Sequence, residues 1–220
     1  MKITVLDNIL QANDAIAAEI AAKLAAHRVF AINLMSSPGA GKTTLLERTL
    51  ERLEPKGVRV GVIEGDIETS RDAERLEGFN VPVVQINTGT ACHLDANMIN
   101  GALANLDCSA IDLLFIENVG NLVCPAEFKV GEDHKVMMLS VAEGDEKPLK
   151  YPLMFRESSA MIVNKIDLLQ HTNFDMEEAT ANAYRINPKL TLFPLSCTTG
   201  EGLEAWIEWV LKELEVKRAH

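Results

Sequence analysis

Apolar positions along the chain follow two rhythms. Nearly unbroken apolar runs recur at 29–35 ("VFAINLM"), 58–63, 82–87, 111–116, 135–141, 159–164 and 190–195. Runs of this kind, without polar alternation, suit parallel strands covered on both faces. Between them, apolar residues return every three or four positions, most clearly at 43–54, 69–77, 93–106, 175–186 and 202–215, which predicts amphipathic helices. An earlier stretch, residues 8–27, places Ile9, Leu10, Ile16, Ile20 and Leu24 at helical spacing with alanines between them. It predicts an N-terminal helix with a narrow apolar stripe. Strand and helix alternating on this scale imply βαβ units, an α/β fold with helices flanking a mostly parallel central sheet. The turn-rich piece at 143–152 reads as a surface loop. With no repeat, low-complexity tract or linker, 220 residues fit one globular domain, residues 29–220, carrying residues 1–28 as a packed helical extension.

Composition narrows the partners. A formal net charge of −11, from 21 basic and 32 acidic residues, argues against a nucleic-acid surface, which needs clustered Lys and Arg. No apolar segment reaches the length of a membrane span. The start "MKITVLDNILQAND" turns polar too early for a signal peptide, so a cytoplasmic location is expected. In that compartment the four cysteines are expected as thiols, some of them able to ligate a metal.

The stretch "MSSPGAGKTT", residues 35–44, stands between a predicted strand and a predicted helix. Its small residues cannot pack a core, but they let successive backbone N–H groups cradle phosphate oxygens at a helix N-terminus. Ser37, Pro38, Gly39, Ala40, Gly41, Lys42, Thr43 and Thr44 form this phosphate loop, making the fold a three-layer P-loop NTPase. Lys42 is expected to reach the β/γ-phosphates and the Thr43 hydroxyl to ligate Mg²⁺. One departure is visible: Ser36 holds the position where the general pattern begins with glycine.

Which base is bound follows from "NKID" at 164–167, at the end of an apolar run. The Asp167 carboxylate can accept from both N1–H and the 2-amino group of guanine, a donor pair adenine lacks, so GTP and GDP are expected. Asn164 is expected to tie this loop to the phosphate loop, and the stem of Lys165 to cover the base. Ser196 and Cys197 stand where a further base-contacting loop would lie. Asp66, in "EGDIETSRDAERL", falls where a switch segment could meet Mg²⁺ or the attacking water. Glu117, in "FIENVGN", could bind the metal directly or through water while Gly120 senses the γ-phosphate. No Gln or Arg stands out as a water-orienting group, so slow intrinsic hydrolysis is expected.

A second chemistry is carried by "TGTACHLDANMI" and "ENVGNLVCP". Cys92 and His93 adjoin before a helical pattern, and Cys124 follows close behind the Glu117 strand. Adjacent Cys and His can turn toward one ion only from a loop or a helix start. Two thiolates and an imidazole suit Zn²⁺ or Ni²⁺, and three ligands leave the site labile or open to completion across a symmetric dimer. Structural thiols are the competing reading. Cys108 and the Cys197 thiol have no nearby histidine and read as packing or loop residues, and His27, His134, His171 and His220 are scattered.

Taken together, "SSPGAGKTTLLE", "EGDIETSRDAERL", "TGTACHLDANMI", "FIENVGNLVCPAEF", "EGDEKPLKYP" and "NKIDLL" closely resemble the HypB family of hydrogenase nickel-incorporation GTPases, in order from about residue 30 to residue 205. Urease metallochaperone GTPases share the phosphate loop but resemble Cys-Pro-His at the metal position. The resemblance implies a GTPase that dimerises with GTP, works with the small nickel chaperone HypA, and helps deliver nickel to the [NiFe]-hydrogenase large-subunit precursor. It also implies that Cys92, His93 and Cys124 hold nickel or zinc at or near the dimer interface. Many members carry an N-terminal Cys-rich or His-rich nickel motif; the sequence shows neither, so metal handling is expected to rest on the globular domain. Two alternatives stay open from the residues: a GTPase serving urease or a cobalamin enzyme, and a metal-storage protein with a vestigial nucleotide loop.

Overall fold

The computed structural model describes residues 3–66 and 75–219. In chain order the elements are α1 (Ile3–Ala26), β1 (Phe30–Ser36), α2 (Lys42–Leu53), β2 (Val60–Asp66), β3 (Val83–Asn87), α3 (Ala96–Leu103), β4 (Leu113–Glu117), α4 (Cys124–Glu127), β5 (His134–Ser140), α5 (Lys147–Lys150), α6 (Pro152–Glu157), β6 (Ala160–Asn164), α7 (Met176–Ile186), β7 (Thr191–Pro194) and α8 (Leu203–Ala219). Each of the predicted apolar runs forms a strand. They build one sheet in the order β3-β2-β4-β1-β5-β6-β7. Each neighbouring pair is parallel, so the sheet is wholly parallel rather than mostly so.

Alternation along the central strand explains the three layers. Phe30, Ile32 and Leu34 of β1 pack with Leu45, Leu46, Leu50 and Leu53 of α2 and with Trp206, Ile207, Val210 and Leu214 of α8. On the opposite face Ala31 joins Ile63, Leu114 and Ile116 beneath α1 and α3, through Ile20, Leu24, Ile99 and Leu103. Met35 continues that face into a second cluster with Met137, Met161, Met154 and Phe155 under α6 and α7. Burial of these side chains, each contributing about 1.5–3 kcal/mol, is the main force fixing the layers. Trp206 is fully buried, and its indole N–H donates to Thr49 Oγ1 at 3.0 Å, locking α8 to α2.

Register sets where chemistry can occur. Leu34 lies opposite Glu117 on one side and Val136 on the other, while Glu64 lies opposite Glu117 and Ser140 opposite Asn164. Ser36, Asp66, Glu117 and Asn164 are therefore the last residues of four strands leaving one sheet edge, the edge at which open α/β sheets bind ligands.

Two further expectations need correction, and a third lies mostly outside the described residues. The stretch 143–152 is not a bare loop: it contains α5 and leads into α6, where Met154 and Phe155 are fully buried. The helix expected over 93–106 begins only at Ala96, because Asp95 caps it by accepting from the Met98 amide at 2.8 Å. Cys92 and His93 thus stay in the preceding loop. The predicted helix at 69–77 falls mostly on residues 67–74, outside the described residues; residues 75–76 are helical and run into a 3-10 turn at Glu77–Phe79. Among the described residues no helix is long and apolar enough to cross a membrane.

Candidate nucleotide and metal site

The phosphate loop turns sharply between β1 and α2. Gly39 and Gly41 sit at φ +76° and +106°, in the left-handed region that glycine enters without steric cost. At Gly41 there is a second constraint, since a Cβ there would lie 2.6 Å from Asn164 Nδ2. Asn164 holds the loop from the far strand: its Nδ2 donates to Ala40 O at 2.9 Å and its Oδ1 accepts from the Cys197 amide at 3.1 Å. Lys165, itself at φ +64°, donates to Gly39 O at 2.8 Å. The departure at Ser36 has a use. Its hydroxyl is buried, donates to Ser37 O at 2.7 Å and accepts from Lys42 Nζ at 3.0 Å, parking the ammonium inside the turn.

A cleft of about 470 Å³ opens above this loop. Its walls include Lys42, Thr43, Asp66, Glu117 and Gly120, with Lys165 at the rim. Thr43 Oγ1 donates to Glu117 Oε1 at 3.0 Å, so a hydroxyl and a buried carboxylate already converge where a Mg²⁺ ion could be held. Gly120 presses on the loop: a Cβ there would meet three Pro38 atoms at 3.0 Å. In the turn after β6, Oδ1 of Asp167 is buried and has no hydrogen-bond partner among the described residues, which fits a carboxylate kept for a ligand donor. The side chains of Ser196 and Cys197 are buried; Ser196 Oγ accepts from the Thr198 and Thr199 amides. Any contact they make with a base would run through the main chain.

Several residues in or beside the cleft were not singled out from the sequence, although Glu64 and Arg75 fall inside "EGDIETSRDAERL". Glu64 and Arg75 also line the cleft. Arg75 is clasped by Glu47, with Nε and Nη2 at 2.9 and 2.6 Å from its carboxylate oxygens, and reaches Thr44 Oγ1 at 3.1 Å. Glu143 accepts from the Ser37 hydroxyl and caps the turn after β5. One arginine and two glutamates among the many charged residues of the chain are indistinguishable from surface charge until the fold assembles them.

Beside the cleft, Cys92, His93 and Cys124 converge with their ligand atoms all within 4.8 Å of one another. The two thiols touch, Cys92 Sγ donating to Cys124 Sγ at 2.9 Å, and His93 Nδ1 lies 3.8 Å from Cys92 Sγ. Phe128 tilts against the imidazole with ring centroids 4.0 Å apart. Burial pushes His93 below the ordinary histidine range, keeping it neutral and able to donate a lone pair. The hydrogen bond from Cys92, with burial, raises the Cys124 thiol. Two sulfurs and one neutral imidazole form a donor set for a borderline-soft divalent cation.

The remaining cysteines differ sharply. Burial raises Cys108, and it pushes Cys197 up to about 11. Both are also buried, at 3% exposure, whereas Cys92 and Cys124 are only half-buried, so access to reagent separates the two pairs. Titration of the native protein with an aromatic disulfide reagent should therefore show two fast equivalents, Cys92 and Cys124, and four after denaturation. Cys124→Ser should lower the fast count to one, and added Zn²⁺ should suppress both.

Side-chain amides join the two regions. Asn118, 1% exposed, follows Glu117; its Oδ1 accepts from the Leu94 and Val119 amides at 3.0 Å each, and its Nδ2 donates to Asn33 Oδ1 at 3.1 Å. Asn121 Nδ2 donates to Cys92 O at 3.2 Å, and its Oδ1 accepts from the Val123 amide at 2.8 Å. Asn13 on α1 adds a tie, accepting from the Ala96 amide and donating to Lys129 O, both at 2.9 Å.

Comparison with known proteins agrees with this arrangement. Residues 30–194 match the model of the CobW/HypB/UreG nucleotide-binding domain. The chain is 52% identical over 206 residues to the hydrogenase maturation factor HypB of Azotobacter vinelandii, covering 94% of this chain and 68% of that one. It is 40% identical over 215 residues to the hydrogenase/urease maturation factor HypB of Helicobacter pylori, covering 96% and 88%. A crystal structure of Helicobacter pylori HypB in complex with nickel superimposes with a TM-score of 0.88 at 39% identity, covering 92% of this chain and 95% of that chain. With the domain model spanning most of the sequence and these relatives aligned over nearly all of it, the chain belongs to the HypB family of hydrogenase maturation factors.

Proposed function

We propose that this chain is a GTP-hydrolysing nickel metallochaperone that assists nickel insertion into the [NiFe]-hydrogenase large-subunit precursor. The observation that carries the reading is the convergence of Cys92, His93 and Cys124 directly behind the Glu117–Gly120 segment that walls the nucleotide cleft. In this reading the loop 37–44 binds the phosphates through its backbone N–H groups, and Lys42 leaves Ser36 to meet the β/γ oxygens. Asp167 and the Asn164–Lys165 turn select and seat guanine, with Ser196 and Cys197 bordering it. Thr43, Asp66 and Glu117 would hold Mg²⁺, which when bound supplies neutralisation of the phosphate charge. Arg75, the arginine in the cleft wall, is clasped by Glu47, and hydrolysis is slow until a partner or a second copy assists it.

Nickel is cargo here rather than a resident cofactor, and zinc fits the same donors. The GTP-bound form is a homodimer, HypA supplies the metal, and the hydrogenase precursor receives it. The relative described as a hydrogenase/urease factor supports one second reading, in which urease is an additional client. The coupling at the centre of the proposal is tested by Ni²⁺ affinity measured with GDP and with a non-hydrolysable GTP analogue, Mg²⁺ present in both. The two affinities should differ by about tenfold, a usual size for coupled sites. Equal affinities would remove the delivery mechanism and leave a GTPase with an independent metal site.

A further inference from the structure

Both metal-site strands of the chain are gripped by amides that flank the same short turn. In "ENVGN", Asn118 and Asn121 stand on either side of Val119 and Gly120. Asn118 holds the amide of Leu94, immediately after His93, and Asn121 holds the carbonyl of Cys92, immediately before it. The Cys92–His93 pair is thereby clamped from both sides by the turn whose glycine faces Pro38 of the phosphate loop so closely that an added Cβ would lie 3.0 Å from it. We infer that Asn118 and Asn121 are positioning residues that make the metal-ligand spacing follow the nucleotide state, an inference that rests on the GTP-dependent metal reading above.

The bond pattern accounts for the transmission. Asn118 Oδ1 is shared between Leu94 N and Val119 N, so a shift of Val119 and Gly120 toward the cleft must carry the Leu94 amide with it or strand a buried donor. An unpaired buried N–H costs about 1–3 kcal/mol, so movement together is favoured over rupture. Asn33, wholly buried in β1, anchors the other end of the Asn118 amide and fixes the axis about which it can turn. Asn121 lies on the same rigid piece and also braces Val123, the residue before Cys124. One turn therefore addresses all three ligands: Cys92 and His93 through side-chain amides, Cys124 through the chain itself. Neither asparagine belongs to the metal-ligand trio, and Asn121 lies outside the cleft lining that includes Asn118.

The test compares Ni²⁺ dissociation constants of wild type, Asn121→Ala, Asn118→Ser and Asn118→Asp, each with GDP and with the non-hydrolysable analogue. Asn121 is half-buried and its replacement leaves the core intact, so it keeps the test alive if Asn118→Ser fails to fold. Asn118→Asp retains the oxygen that accepts from Leu94 and Val119. Its second oxygen can take the amide of Asn33, whose Nδ2 has no partner among the described residues. The expected result is a nucleotide-dependent affinity ratio of about tenfold in wild type and Asn118→Asp, falling to within about twofold in Asn121→Ala and Asn118→Ser. Nucleotide affinity should move less than about threefold in Asn121→Ala, whose side chain is outside the cleft lining. A purely structural role would lower stability and both nickel affinities in parallel, leaving the ratio unchanged; that outcome in Asn121→Ala overturns the inference. A ratio of one in wild type overturns the delivery reading itself, and so identifies which of the two has failed.

Discussion

Lys42→Ala is expected to lower kcat/KM for GTP hydrolysis by about a thousandfold while leaving the far-ultraviolet circular dichroism unchanged. The size follows from what the side chain does and what would remain without it. Groups that stabilise charge developing on a transferring phosphoryl are commonly worth 10²–10³-fold, and a full ammonium in a half-enclosed cleft belongs at the upper end. Lys42 is 9% exposed and rests on the Ser36 hydroxyl, a neutral partner it can leave at little cost. Removing it would leave phosphates facing the carboxylates of Glu64, Asp66 and Glu117. Phosphate release under single-turnover conditions measures the effect. Turnover within tenfold of wild type would show that the loop is not the catalytic one. Zn²⁺ binding by Cys92, His93 and Cys124 should survive in the same variant, since none of those groups touches Lys42.

Asp167→Asn should weaken GTP binding by about 10²–10⁴-fold. The Asp167 carboxylate would accept two charge-assisted hydrogen bonds from guanine, each worth about 1.5–3 kcal/mol. An asparagine in its place presents an N–H₂ group to a guanine donor, converting one attraction into a clash of hydrogens. The same change predicts its own rescue: xanthosine triphosphate, with a carbonyl where guanine has the 2-amino group, should bind the variant better than wild type. Inosine triphosphate, lacking the amino group, should bind wild type more weakly than GTP. A competition assay with the four triphosphates, ATP included, checks all of this. If GTP and ATP compete equally in wild type, the assignment of the base site to Asp167 falls.

Much of the architecture was legible because a parallel sheet leaves a strong trace. Strands buried on both faces must be apolar throughout, and stretches such as "VFAINLM" and "IDLLFI" can be little else. The phosphate loop was legible for a related reason: Gly39 and Gly41 occupy backbone conformations that other residues avoid, so their spacing survives in the sequence. What escaped notice is equally physical. The helices α4, α5 and α6 each carry proline in their first turn, at Pro125, Pro148 and Pro152, and proline in a short segment reads as a break although it suits a helix start. The amide clamp escaped because its bonds join side chains to backbone 24 and 29 residues away, a pairing no local pattern encodes. Arg75 and Glu143 are charged residues among many, distinguished only by what the sheet edge brings near them.

The wholly parallel sheet has a geometric corollary. Because every strand points the same way, the loops that follow β1, β3, β4 and β6 all surface on a single rim. Under the proposed function, a macromolecule reaching for an ion between the sulfurs would lean across the rim by which guanylate would enter and leave. Val123, more than half exposed next to Cys124, stands on that threshold. Unloading the cargo and swapping the nucleotide would then share one approach.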